Sequence, residues 1–337
     1  MEAAMDNVTH TLTALLLART GLGKLAPGGT AVLLLASNLP DADIITLWSG
    51  TLPYLEYHRH LTHALVVTPL LGLLAALAMF RVKGWRLWPA WALGTLGVWA
   101  HIALDMLNNY GVRIWLPFRA DWVGWDLFMV VDPWVMAVLL LCVLAPLLAR
   151  LVGSEIGGRA AVAPGRGWAF FGLTFLVLWA GGRWVLHERA VETLRTFHYQ
   201  GQVPVRVAAW PTAWNPLVWS GYVSTEPFWG LYRVDLSREF DPERGTVFFK
   251  PEGAELVNAA RRTPEAQAFL RFAQYPVWRM LPVAEPEGAM LVEATDVRFG
   301  LPEEGKFQLR ILLDASRQVV SARFSYGVFL KGMGAGR

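Results

Sequence analysis

Runs of apolar residues about as long as a bilayer is thick dictate most of what this chain can become. Six can be drawn: Val8 to Leu22, Thr30 to Trp48, Ala64 to Phe80, Leu87 to Leu107, Leu127 to Ala149 and Trp168 to Leu186. A spanning helix needs about 20 residues, within roughly 17 to 25. The first run is short for that and suits a tilted, partly embedded or re-entrant segment; the others can span. From about Arg189 onward the chain turns charged, proline-containing and alternating. Lys306 to Ile311 is polar and apolar in turn, as a half-buried strand requires, and Ala322 to Val328 reads the same way. Thr263-Pro264-Glu265 offers an N-cap, a proline at the first helical position and an acid in the first turn, which predicts a helix through about Phe272. The expected fold is a mainly α-helical polytopic membrane bundle of about 5 to 6 transmembrane helices. It should cover residues 1–188, with a soluble α+β domain over 189–337.

Composition agrees with a membrane partner and removes others. The chain is 54% hydrophobic and 17% charged, its mean hydropathy is +0.35, and the excess sits in the first half. Many of the 17 tryptophans, such as Trp85, Trp88, Trp115 and Trp122, lie beside apolar runs, where indole favours the lipid–water interface. A net charge of +3 with no basic stripe argues against nucleic acid as a partner. The single cysteine, Cys142, has no disulfide partner within the chain and excludes a multi-cysteine zinc site. Glu2 and Asp6 precede the first apolar run, so no cleavable signal peptide is expected. Basic residues gather at one set of helix ends: Arg19, Lys24, Arg81, Lys83, Arg86, Arg150, Arg159 and Arg166. The opposite ends hold only Arg59, Arg113 and Arg119. The first set should face the cytoplasm, leaving the N-terminus and the C-terminal domain outside.

Ionisable groups then stand out against this background. His10, Asp41, Asp43, His58, His60, His63, His101 and Asp105 lie at the edges of the apolar stretches. Such groups are expensive at membrane depth and usually serve an ion, a proton or a substrate. His10 opens the first expected helix, Asp41 and Asp43 lie late in the second, His63 opens the third, and His101 and Asp105 lie late in the fourth. In an up-and-down bundle all of these reach one end. Imidazole and carboxylate together suit one or two divalent cations, zinc first and manganese or iron next.

Each local pattern also has a plainer explanation. His101 and Asp105, four apart, share a helix face; they can ligate a metal or simply hydrogen-bond in a core. Pro40 should break the helix just before Asp41 and Asp43, and both acids can then point at one centre or cap an exposed turn. His58-Arg59-His60-Leu61-Thr62-His63 is either a ligand-bearing helix mouth with Thr62 as its cap, or a solvated loop. Arg59 there could grip a phosphate or carboxylate. Asn108, Asn109 and Tyr110 are candidates to line the same pocket, and Asp132 before Pro133 either ligates metal or caps a broken helix.

With these residues in view, the chain resembles the family of predicted membrane-bound, metal-dependent hydrolases related to the LexA-regulated inner-membrane proteins of bacteria. The likeness rests on Thr9-His10, Leu39-Pro40-Asp41-Ala42-Asp43, His58-Arg59 with Thr62-His63, and His101 with Asp105, followed by Tyr110-Gly111 and Pro117-Phe118. It covers about residues 5 to 135. His60 stands where a glycine is usual and Ala64 where a serine is usual. The resemblance implies that His10, Asp41, Asp43, His58, His63, His101 and Asp105 act together in metal-assisted hydrolysis at the inner membrane.

The expected chemistry is water activated by one or two divalent metals, attacking a phosphoester or ester of a lipid or other amphiphilic small molecule. Asp43 or Asp105 would take the proton or orient the water, and Arg59 would neutralise charge developing on the substrate. The competing readings are a proton or metal-ion transporter, and a metal-stabilised scaffold or sensor without catalysis.

Overall fold

The computed structural model describes residues 2–155, 165–252 and 254–325. Arg159 and the end of the strand expected over Ala322 to Val328 lie outside the described residues. The chain divides into two compact units. The first comprises Met1–Asp43, Arg59–Arg189 and Trp210–Trp219; the second comprises Ile44–His58, Ala190–Ala209 and Ser220–Arg337.

The first unit is helical. Its elements are α1 (Glu2–Arg19), α2 (Gly29–Ala36), α4 (Thr68–Leu77), α5 (Leu87–Leu107), α6 (Pro133–Glu155) and most of α7 (Arg166–Thr196), with α3 (Thr51–Tyr57) intervening in the chain. Among the described residues three helices, α5, α6 and α7, are long and apolar enough to cross a membrane. The number rises to five if Gly29–Ala36 with Pro40–Ser49, and Thr51–His63 with Leu65–Leu77, each form one broken span. Helices α6 and α7 carry no charged residue over 133–149 and 168–182. They bury Leu139, Cys142, Val143, Ala169 and Leu176, yet expose Leu141, Leu148, Phe171, Val177 and Leu178. That is the pattern of a helix bathed in lipid.

Three local expectations are revised. His10 does not open the first helix but lies midway along α1, because helix already forms from Glu2. The stretch Ala64 to Phe80 is no single span: 3-10 turns at Leu61–His63 and Leu65–Val67 precede α4, whose proline fixes its first turn. At 10 residues, α4 reaches about 15 Å, half the hydrocarbon thickness. Helix α6 begins at Pro133 rather than Leu127, and Asp132 Oδ1 accepts the Trp134 and Val135 amides at 3.0 and 3.1 Å. Asp132 is therefore a helix cap.

Packing in this unit is close where α2, α4 and α5 meet. Val32, Leu33, Ala36, Ala75, Ala90, Val98 and Ile102 form one buried cluster from α2, α4 and α5. Gly72 and Gly94 let the backbones of α4 and α5 touch, since a Cβ added at Gly94 would collide with the Gly72 carbonyl.

The second unit is built on two four-stranded sheets. One has the order β1 (Arg206–Pro211), β2 (Val218–Ser224), β3 (Phe228–Asp235), β4 (Gly245–Phe249); the other is β5 (Pro276–Pro282), β6 (Met290–Asp296), β7 (Gln308–Leu313), β8 (Val319–Ser325). The strands of the second sheet pair antiparallel throughout. Two short helices, α8 (Ala254–Arg261) and α9 (Pro264–Phe272), accompany them. Helix α9 starts where the sequence predicts, with Thr263 Oγ1 accepting the Ala266 amide at 3.2 Å. It buries Phe269 and Phe272, while β7 buries Leu309, Ile311 and Leu313. Helix α3 joins this unit, and Glu56 pairs with Arg271 at 2.7 Å.

Candidate metal centre

Four side chains converge in the first unit. Pro40 follows the end of α2, and the chain continues as a 3-10 segment through Ser49, which carries Asp41. The 3-10 turn Leu61–His63 carries His63, and the last turns of α5 carry His101 and Asp105. One ligand atom from each of Asp41, His63, His101 and Asp105 lies within 4.8 Å of all the others. His63, His101 and Asp105 are completely buried, and Asp41 is 9% exposed.

At the centre is a triangle of lone-pair atoms. His63 Nε2 stands 3.1 Å from His101 Nε2, and Asp105 Oδ2 is 3.2 Å from the first and 3.1 Å from the second. Asp41 Oδ1 closes the group at 3.5 and 3.6 Å from the two nitrogens. A cation bound at about 2.1 Å separates adjacent ligand atoms by roughly 3.0 Å in octahedral and 3.4 Å in tetrahedral geometry. The spacing fits a divalent ion.

Hydrogen positions support the same fit. His101 Nδ1 lies 2.7 Å from the Ser37 carbonyl. A carbonyl only accepts, so this nitrogen carries the hydrogen and Nε2 presents its lone pair inward. That acceptor is available because the chain leaves the α-helix at Ser37: Leu39 N bonds Ala36 O and Ala42 N bonds Leu39 O, passing over the Ser37 oxygen. The proline was legible as a break; that the break supplies an acceptor for a histidine 64 positions away was not.

The remaining sequence candidates are distributed around this core. His10 stacks on His101, ring centroids 3.7 Å apart, with Nε2 3.5 Å from Asp105 Oδ1. Arg59, proposed from sequence as a grip on substrate, is buried and pairs with that same Oδ1 at 2.9 Å. It also donates to Asn108 Oδ1 at 3.0 Å and lies over the Tyr110 ring. Asn108 Nδ2 donates to Asp105 Oδ1 at 3.2 Å. Asp105 is thus anchored by one oxygen and presents the other inward. Asp43 Oδ2 accepts from the Arg59 amide at 2.8 Å and from Thr62 Oγ1 at 3.0 Å. Thr62 does not cap α4, which begins six residues later with no side-chain cap. His58 belongs to the second unit, where it ends α3 and stacks on Tyr54. His60 is half-buried and lends its carbonyl to the His63 amide.

Compared with known proteins, residues 5–190 match the family model described as YdjM inner membrane protein, which is more than half of the chain. No curated protein and no solved structure matches.

Proposed function

This chain belongs to the YdjM inner membrane protein family, and from that premise we propose that it is a membrane-embedded, metal-dependent hydrolase of an amphiphilic phosphoester or ester. The observation that carries the reading is the buried triangle of His63 Nε2, His101 Nε2 and Asp105 Oδ2, closed by Asp41. When bound, a divalent cation supplies Lewis acidity and brings the pKa of a coordinated water down toward about 7.

The chain's own residues do the rest. Arg59 and Asn108 hold Asp105 by its outer oxygen, so its inner oxygen keeps one direction. Asp41 is the least buried member of the group, so water and substrate approach from its side. Leu61, Leu65 and Val66, flanking His63, are exposed apolar residues, and they favour a substrate with an acyl or alkyl part over a fully soluble one.

Elemental analysis of detergent-purified wild type, His63→Ala and Asp105→Ala, with assays on phosphate and carboxylic ester lipids, tests this. Wild type should carry metal and hydrolyse one class, and both variants should lose both properties. Metal retained at wild-type stoichiometry in both variants would refute the ligand set. Metal-dependent ion flux in liposomes without hydrolysis would replace the enzyme by a transporter.

A further inference from the structure

The proton inventory around His63 assigns a task to Thr62 and Asp43. Asp43 Oδ2 lies 3.0 Å from Thr62 Oγ1, and Thr62 Oγ1 lies 3.0 Å from His63 Nδ1. A carboxylate only accepts, so the single hydroxyl hydrogen of Thr62 goes to Asp43. The lone pair left on Thr62 Oγ1 can then meet Nδ1 of His63 only if that nitrogen carries a hydrogen. His63 is thereby fixed as the Nδ1–H form with Nε2 bare, facing His101 and Asp105. The Arg59 amide holds the same Asp43 oxygen at 2.8 Å, so the relay Asp43, Thr62, His63 is braced at its outer end.

We infer that Thr62 is a positioning residue which, oriented by Asp43, sets the ring form and direction of His63 for a divalent cation. This rests on the metal-centre reading above. It also parallels His101, whose Nδ1 is held by the Ser37 carbonyl; the two imidazoles reach the centre by the same device with different acceptors.

The test is Zn2+ affinity of the full chain in detergent, measured by chelator competition, together with spectra of zinc-loaded protein carrying 15N-labelled histidine. Removing an outer partner of a metal-bound histidine typically weakens binding by about 10- to 100-fold. Thr62→Val, which keeps the shape and deletes the hydroxyl, should show that loss, and so should Thr62→Ala if the valine variant does not fold. Thr62→Ser should restore affinity to within about threefold of wild type. The His63 Nδ1–H resonance should be present in wild type and Thr62→Ser and absent or shifted in Thr62→Val. Asp43→Asn, which keeps an acceptor for the hydroxyl, should bind zinc at wild-type stoichiometry. Wild-type affinity and an unchanged resonance in Thr62→Val overturn the inference and leave the metal centre standing, as does loss of zinc from Asp43→Asn with Thr62→Val unaffected. Failure of wild type to bind zinc, manganese or iron removes the centre and the inference together.

Discussion

At the scale of single residues, the chain separates groups that face the candidate cation position from groups that contact them from outside. Asp105 illustrates it: Oδ2 faces two imidazole nitrogens, while Oδ1 is taken by Arg59 and Asn108. Composition and spacing marked both kinds of residue as unusual, but two carboxylates look alike in a sequence, and only the partner of each oxygen assigns its part. Asp132 shows the reverse outcome, an acid beside an apolar run whose partners are the amides of the following helix. Asp132→Ala should lower stability by about 1 kcal/mol, the usual cost of losing a cap, and Asp132→Asn by much less. Both should retain full metal content. Thermal unfolding and elemental analysis read the two quantities, and metal loss from Asp132→Asn would make Asp132 a ligand.

At the scale of elements, hydropathy located α5 and the apolar body of α6 and α7 because those segments are continuous helix with few charged residues. It failed over Ala64 to Phe80, where the apolar run is continuous but the backbone changes from 3-10 turns to α-helix. Hydropathy measures side chains and is blind to that change. The contact of α4 with α5 offers a test remote from the ligands. Gly94 lies two turns before His101 on α5, and its Cα faces the Gly72 carbonyl. Gly94→Val should cost about 1 to 3 kcal/mol through overpacking and lower zinc occupancy by displacing the helix that carries His101 and Asp105. Gly167→Ala on α7, where an added Cβ meets nothing within 4 Å, should leave both unchanged. Equal behaviour of the two variants would uncouple helix packing from the centre.

At the scale of the whole molecule, the family match ends at residue 190, close to Arg189, where the first unit leaves α7. The second unit is not confined to the tail: Ile44–His58, the segment between Asp43 and Arg59, is also part of it. Sequence order alone assigns that segment to the bundle, since nothing in its composition connects it to residues more than 200 positions away such as Arg271, the partner of Glu56. Membrane orientation is set by a different quantity, the bias of Arg and Lys among the helix ends. A phosphatase reporter that works only outside the cytoplasm, fused after Arg337, should be active, and a fluorescent reporter that matures only inside should be dark. The opposite pair of results would invert the bundle.

The sequence by itself determined that this is a membrane chain with a compositionally distinct tail, and that histidines and acids cluster at the ends of its apolar runs. Those properties are sums over local side chains, and hydrophobicity and charge need no partner to be counted. The tertiary structure alone decided which four groups meet, that the Ser37 carbonyl lies against His101 and the Thr62 hydroxyl against His63, and that Arg59 pairs with Asp105. A hydrogen bond or a ligand contact depends on distances of a few tenths of an ångström between segments distant in the chain, and such distances exist only once the helices have packed.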